Sequence, residues 1–216
     1  VLPLEDDEVS AQLARLFTRR GIAIRTGVRV KTVTPGGAGV TVEVEAEGKA
    51  GSLQADQVLM AVGRAARTKG VGLDALGIAM EKGFVTVSST MESSVKGIYA
   101  VGDMTGRQLL AHKAMAEGVV AAEAIAGRDP RPVDYGNVPS CTYCRPQVAS
   151  IGASEAAARA GGREVSVGRV PFTANGKAVA LGETEGFLKV VADKSTDEIL
   201  GVHILGPEAT QMIHAF

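Results

Sequence analysis

Apolar residues first recur at helical spacing. Val9, Leu13, Leu16 and Phe17 fall on one face of residues 6–21, which predicts a helix. Acidic side chains crowd its beginning, and Arg19-Arg20-Gly21 supplies positive charge and a glycine stop at its end. The period then shortens to two. Residues 22–25 and 28–33 are rich in β-branched side chains and predict strands. Pro35-Gly36-Gly37-Ala38-Gly39 predicts a turn into Val40-Thr41-Val42-Glu43-Val44, a hairpin pattern with one solvated face. Residues 57–64 are a short apolar run ending in Gly63-Arg64, the pattern of a strand buried on both faces. A looser stretch holds Leu73, Leu76 and Ile78, with a short strand expected near residues 84–87. A second buried strand is predicted over residues 97–101, ending in Gly102-Asp103. Residues 109–126 then predict a long apolar helix, in which Ala111, Ala114, Gly118, Ala121 and Ala122 imply close packing against a sheet or another helix.

Gly127-Arg128-Asp129-Pro130-Arg131-Pro132 is a cluster of breakers and the main expected domain boundary. Beyond it the texture is one of strands, predicted over residues 148–151, 164–170, 187–192 and 199–205. A short helix opens at Ser154-Glu155, and Thr196-Asp197 lies in the last turn. Antiparallel strands joined by short turns indicate an α+β layer.

Composition removes several function classes. The 216 residues carry 23 basic and 24 acidic side chains, net −1, so no charge excess exists to hold a phosphate backbone and a general nucleic-acid binder is not expected. No uncharged apolar run approaches the roughly 18 residues of a membrane span. The acidic N-terminus, Val1-Leu2-Pro3-Leu4-Glu5-Asp6-Asp7-Glu8, lacks the basic region of a signal peptide. Two cysteines are too few for a disulfide scaffold and fit a reducing cytoplasm. Glycine accounts for 27 residues, well above the usual share of about 7%, which suggests the tight turns and close backbone approaches of nucleotide-binding α/β folds. The chain begins with Val and stops at Phe216 inside a helical pattern, so a fragment is expected.

The sharpest candidate chemistry is Asp103. A carboxylate at the C-terminal end of a buried parallel strand sits where α/β sheets bind ligands. It can accept hydrogen bonds from sugar or ribityl hydroxyls, and Gly102 lets a ligand approach the backbone. An Asp that merely caps a turn would look the same. Six residues on, Leu109-Leu110-Ala111-His112 opens the long helix, whose N-terminus offers N–H groups and partial positive charge to an anionic group. The backbone of His112, more than its ring, carries this expectation, since an ordinary first-turn histidine reads alike.

Other chemistry-bearing residues are less informative. Cys141-Thr142-Tyr143-Cys144 is at most half a zinc site and has no second pair, so two small structural residues fit it better. His112, His203 and His214 lie far apart without ligand spacing, and His203 alternates within a strand as a packed residue. The stretch from Gly36 to Gly39 leads into a strand rather than a helix and is not a phosphate loop.

Taken together, these segments resemble the C-terminal part of the flavin-dependent pyridine nucleotide–disulfide oxidoreductases. The residues that carry the likeness are Leu2-Pro3 with the acidic helix start, Ala61-Val62-Gly63-Arg64, Gly97-Ile98-Tyr99-Ala100-Val101-Gly102-Asp103 and Leu110-Ala111-His112-Lys113-Ala114. Downstream, Pro139-Ser140-Cys141-Thr142-Tyr143-Cys144, Pro146-Gln147-Val148-Ala149 and Gly201-Val202-His203-Ile204-Leu205-Gly206-Pro207 match as well. With Gly182-Glu183-Thr184-Glu185-Gly186-Phe187, they look most like the dihydrolipoamide dehydrogenase branch, and the likeness covers essentially the whole chain. Single motifs also occur in glutathione and mercuric reductases, which are the alternative, together with a non-catalytic module that only dimerises.

The resemblance implies an α/β fold: parts of two Rossmann-like nucleotide-binding domains, then an α+β dimer-interface domain with an antiparallel sheet. Residues 1–64 would be the second half of an NAD-binding domain, 65–132 the C-terminal half of an FAD-binding domain, and 133–216 an incomplete interface domain. Asp103 would bind ribityl or ribose hydroxyls of FAD. Leu109, Leu110, Ala111 and His112 would line the flavin, with the helix N-terminus stabilising the negative charge that builds as it is reduced. Gly63 and Val30 would touch NAD. The parent activity would oxidise dihydrolipoyl groups through a cysteine disulfide and FAD, reducing NAD. Its partners would be a second copy of the chain and the lipoyl-bearing subunits of 2-oxo acid dehydrogenase or glycine cleavage complexes.

The family's Gly-rich FAD and NAD loops, its CxxxxC redox pair and its His-Pro base with a Glu do not occur in these 216 residues; the three histidines are followed by Lys, Ile and Ala. Cys141 and Cys144 have the wrong spacing to replace the redox pair. The isolated chain is therefore expected to lack dehydrogenase activity. A buried strand such as residues 58–62 would lack neighbours, leaving apolar surface exposed and the chain poorly stable alone.

Overall fold

The computed structural model of the protein describes residues 1–37 and 39–216. Helix α1 (Asp7–Arg19) follows the apolar stripe of the sequence, with Val9, Leu13 and Leu16 buried, Asp7 and Glu8 in its first turn and Arg19 in its last. Two compact units divide the chain. One comprises residues 1–4 and 10–63, the other residues 5–9 and 64–216.

The first unit is built on an antiparallel meander of β1 (Val28–Gly36), β2 (Gly39–Ala46) and β3 (Lys49–Ala55). The β1–β2 register runs from Val28 opposite Ala46 to Gly36 opposite Gly39, so the expected hairpin forms. Its expected turn includes Ala38, which lies outside the described residues. Two strand expectations fail in this unit. Residues 22–25 and 57–64 form no regular element and join no ladder among the described residues. An apolar run becomes a strand only by pairing, and these runs find no strand to pair with. Leu59, Met60 and Val62 are accordingly 90%, 71% and 89% exposed, the open apolar surface that an unpaired buried-type strand was expected to leave.

The main stretch of the second unit begins at Arg64. A two-residue hairpin of β4 (Met80–Glu81) and β5 (Phe84–Val85) packs Val85 with Ile78 and Ala100. The strand expected over residues 97–101 is instead a partly buried extended segment holding one isolated bridge, Glu92 to Tyr99, because the described residues supply no neighbour for a full ladder. It leads into a tight 3-10 turn, Gly102–Thr105, and then α2 (Ala111–Ile125). Met91, Val120 and Ala121 form a small core with Tyr99, Val101 and Val133.

After an irregular stretch, five antiparallel strands form one sheet in the order β6-β7-β10-β9-β8: β6 (Ser140–Thr142), β7 (Gln147–Gly152), β8 (Val165–Pro171), β9 (Phe187–Asp193) and β10 (Ile199–Gly206). All four strands read from the sequence in this part are present, while β6 and β3 carried too little alternation to be read. Central strand β10 is buried from Gly201 to Gly206. On one face Val202, Ile204 and Ala149 pack with Phe172, Ala178 of α4 (Gly176–Leu181) and Ala209 of α5 (Ala209–Met212). Elsewhere on the sheet Val191 and Val165 pack with Ala158 of α3 (Glu155–Ala160). Among the described residues no helix is long and apolar enough to cross a membrane.

Candidate functional site

The predicted site residues Asp103, Leu109, Leu110, Ala111 and His112 all lie in one segment of the second unit. Gly102 opens it with φ +79°, a left-handed conformation that a side chain would strain, and its added Cβ would stand 3.4 Å from the Ala114 Cβ. The glycine is thus required by the turn itself. Asp103 follows with an exposed side chain, while its carbonyl accepts the Gly106 N–H at 3.2 Å.

A buried polar network holds this turn. Lys113 and Glu117, one helical turn apart on α2, are both fully buried and pair at 3.1 Å. Glu117 Oε2 accepts the Gly102 N–H at 2.7 Å, and Lys113 Nζ donates to the Gly102 carbonyl at 2.9 Å. Thr105 Oγ1 donates to the same carbonyl at 2.8 Å. Both backbone polar groups of Gly102 are therefore held by one ion pair, and Thr105 Oγ1 also lies within 3.4 Å of both Glu117 oxygens. The remaining Glu117 oxygen, Oε1, accepts the Tyr135 hydroxyl at 2.8 Å. Burial, then the hydrogen bond to Glu117 and its charge, hold the Tyr135 phenol above its ordinary pKa against the pull of Arg107, so it stays a donor. Satisfying every oxygen of a buried carboxylate is the condition for keeping it charged in the interior.

Sequence reading missed this network, although a signal was present. Lys113, Glu117, Val120 and Ala121 are the buried residues of α2 and share one stripe at helical spacing. Two charged residues in line with apolar ones, on a helix of small residues, mark a buried pair.

The N-terminus of α2 is open. Its N-cap, Leu110, is extended and makes no side-chain cap, and the first turn holds no acidic residue. Leu109 and Leu110 are half-buried and Ala111 and His112 exposed. The His112 ring donates through Nε2 to the Pro139 carbonyl at 2.8 Å, which ties it to the backbone. Arg64 reaches the Leu109 carbonyl at 3.4 Å. Gln108 Oε1 is buried without a donor among the described residues. An exposed carboxylate, uncapped helix amides, a flat apolar ledge of Leu109 to Ala111 and an unserved acceptor suit a ligand carrying hydroxyls, an apolar ring and an electron-rich edge. A flavin nucleotide fits that donor and acceptor set.

Gly63 and Val30 lie in the first unit. Gly63 has φ +138° with open space around it, and Val30 is 56% exposed. The cysteines are placed structurally. The Cys141 thiol is raised by burial and by the charge of Glu5 and lies 4.0 Å from the Thr210 carbonyl; Cys144 Sγ donates to the Pro146 carbonyl at 3.1 Å. His203 is buried in β10 and meets the Ala153 carbonyl at 3.1 Å, as its packing pattern predicted. Among the described residues no His, Cys, Asp or Glu cluster could hold a metal ion.

A second charged cluster underlies the sheet. Lys189, 3% exposed, meets Asp6 at 2.9 Å, Glu155 at 2.9 Å and Glu8 at 3.3 Å. Arg169 pairs with Glu8 at 2.8 Å. Burial raises Asp6, but hydrogen bonds from Lys189 and the Glu155 N–H, with the charges of Lys189 and His203, leave it below its ordinary value. This cluster holds residues 5–9 to the sheet.

Comparison with known proteins identifies the family over most of the chain. Residues 1–118 match the family described as pyridine nucleotide-disulphide oxidoreductase, and residues 138–216 match the dimerisation domain of the same family. Dihydrolipoyl dehydrogenase of Rhizobium etli is 45% identical over 100% of this chain and 45% of its own length; that of Zymomonas mobilis is 45% identical over 100% of this chain and 47% of its own. Among solved structures, LpdA from Mycobacterium tuberculosis superimposes with a TM-score of 0.89 at 29% identity, covering 99% of this chain and 46% of the other. The HOCl-induced flavoprotein disulfide reductase RclA from Escherichia coli gives 0.89 at 26% identity, covering 99% and 49%. The chain thus spans slightly under half the length of the relatives it matches.

Proposed function

Because this chain belongs to the pyridine nucleotide-disulphide oxidoreductase family, we propose that it is the cofactor-facing and dimerising part of an NAD-dependent dihydrolipoamide dehydrogenase. The observation that carries the reading is the exposed Asp103 on a turn fixed by the buried Lys113–Glu117 pair, beside the uncapped start of α2. Asp103 accepts hydrogen bonds from ribityl or ribose hydroxyls of FAD, and Leu109, Leu110, Ala111 and His112 line the flavin. FAD supplies the two-electron carrier between a thiol pair and NAD. The open α2 amides add a fixed positive potential at the flavin edge and need no reorganisation as charge develops there. Gly63 and Val30 contact NAD.

In this reading residues 1–64 complete the NAD-binding domain, 65–132 the FAD-binding domain, and 133–216 the dimer interface of a cytoplasmic homodimer that serves lipoyl-bearing subunits. The 40–45% identity to dihydrolipoyl dehydrogenases favours that branch over other disulfide reductases. The test is the visible absorption spectrum of the full-length protein, followed by NAD reduction with dihydrolipoamide and with reduced glutathione. A flavin band with dihydrolipoamide turnover is expected, and the isolated 216-residue chain is expected to show no turnover. A flavin band with glutathione turnover alone would assign another reductase of the family, and a colourless full-length protein would reject the flavin site.

A further inference from the structure

We propose that Tyr135, in the segment leading into the five-stranded sheet, is a positioning residue that fixes the Asp103-bearing turn through Glu117. The proposal rests on the flavin reading above and adds a side chain that does not itself face the flavin.

The argument begins with the two oxygens of Glu117. Oε2 serves the turn and the helix, taking the Gly102 N–H at 2.7 Å and Lys113 at 3.1 Å. Oε1 takes the Tyr135 hydroxyl at 2.8 Å and is otherwise met by Thr105 at 3.2 Å. Without the phenol, Oε1 keeps only the longer bond to a hydroxyl already committed to the Gly102 carbonyl at 2.8 Å. The carboxylate plane is then held mainly through Oε2, and rotation about its last torsion, a soft one, shifts Oε2 relative to Gly102. Asp103 is the next residue along the chain, so a shift of Gly102 is delivered to it directly.

Tyr135 is itself gripped by the loop it positions. The Arg107 guanidinium lies over its ring, 4.1 Å from the centroid, and Gln108 Nε2 donates to its carbonyl at 3.3 Å. Four residues further, the Pro139 carbonyl receives His112. Arg107, Gln108, His112 and Glu117 span the stretch between Asp103 and the body of α2, and all four close on residues 135–139. That segment runs straight into β6, so the geometry of the turn is tied to the start of the dimerisation sheet. A segment needed only for connection would not attract Arg107 and Gln108, which follow the turn, together with His112 and Glu117 of α2.

The experiment uses the full-length flavoprotein as isolated, with Tyr135→Phe, Asp103→Asn and the double variant. FAD affinity is read by titration of the FAD-free protein, together with the visible spectrum of the bound flavin. Tyr135→Phe removes one hydroxyl and keeps the ring under Arg107, and thermal melting checks its folding. Loss of a hydrogen bond to a charged acceptor predicts FAD affinity weakened about tenfold, with an altered flavin band. The double variant should weaken affinity by less than the product of the single effects, because both act through one turn. Wild-type affinity and spectrum in Tyr135→Phe, or fully multiplicative effects, would overturn the proposal while leaving the flavin reading intact. A wild-type protein that binds no FAD would overturn the flavin reading itself, and the proposal with it.

Discussion

Helices α2 and α3 start in opposite ways. At α3, Ser154 accepts the Ala157 N–H at 3.2 Å, Glu155 puts a carboxylate in the first turn, and Asp6 accepts the Glu155 N–H at 3.2 Å. Helix α2 is more than twice as long, 15 residues against 6, yet its N-cap is a leucine with no side-chain bond. Each region also buries a lysine. Lys189 beside α3 faces three carboxylates, whereas Lys113 inside α2 has a single carboxylate and two neutral oxygens. In the α3 region the chain itself serves the helix start, although Glu5 Oε2 and His203 Nδ1 nearby are buried without a partner among the described residues. The α2 region spends its charges on holding one turn in place, and its N-cap offers no side-chain acceptor to the first helix amides. That asymmetry distinguishes a structural clamp from the proposed flavin site, although both contain a buried ion pair.

The largest test of this contrast removes one carboxylate from each region. Glu117→Ala strands Lys113 in the interior with no anion and should cost about 3–5 kcal/mol in chemical denaturation. Asp6→Ala leaves Lys189 with Glu155 at 2.9 Å and Glu8 at 3.3 Å, so a loss of about 2 kcal/mol is expected, on the scale of a charged hydrogen bond. Equal losses would mean that Lys113 has a compensating partner and the contrast fails.

Acid should act next, and through the α3 region. Asp6 and Glu155 both titrate below their ordinary values of 3.8 and 4.5; burial works against the shift at Asp6, and the hydrogen bond from Lys189 leads it at Glu155. A depressed carboxylate adds stability that is complete above its unfolded pKa and disappears as pH falls through the folded one. Lys189 titrates above 10.5, its burial outweighed by its bonds to Asp6 and Glu155, so its share is complete below that pH and fades as pH rises through the higher folded value. Urea midpoints should therefore fall as the solution is acidified below about pH 4, near the ordinary carboxylate values. Asp6→Asn should flatten that fall. A variant as acid-sensitive as the parent would remove Asp6 from the account.

What could be read from the sequence follows the same division between closed and open parts. Strands β7 to β10 all have partners within the chain, β9 and β10 across the Thr196-Asp197 turn and β7 with β10 across α3, β8, α4 and β9, so their alternating patterns were realised as strands. Residues 22–25, 57–64 and 97–101 have equally clear apolar patterns but no ladder, because a strand is a property of a pair and the pattern of one member does not supply the other. Short α4, Gly176–Leu181, carries a weak period and is fixed by its Asn175 cap to the Ala178 N–H at 3.0 Å and by burial of Ala178. The turn that exposes Asp103 and the start of α2 were legible from the glycine-acid pair and the helix pattern that follows. Lys113, Glu117 and Tyr135 were not, since a charged residue on a helix is usually solvated, and Tyr135 joins them across 18 residues of chain.

The smallest effects test the helix starts directly. Ser154→Ala removes a cap from a helix that keeps Asp6 as a second acceptor, so about 1 kcal/mol should be lost. Leu110→Ser makes the opposite change at α2. If the α2 amides are unserved by the chain, a serine hydroxyl there can accept one of them, and the FAD-free protein should gain about 0.5–1 kcal/mol in denaturant. The same hydroxyl would compete with a bound flavin for the amides and remove part of the apolar ledge, so FAD affinity should fall while stability rises. A scaffold helix with hidden partners at its N-terminus would respond differently, since the serine would add no bond and would only lose leucine packing. Stability gained and affinity lost in one variant is the outcome that a helix start left open for a ligand requires.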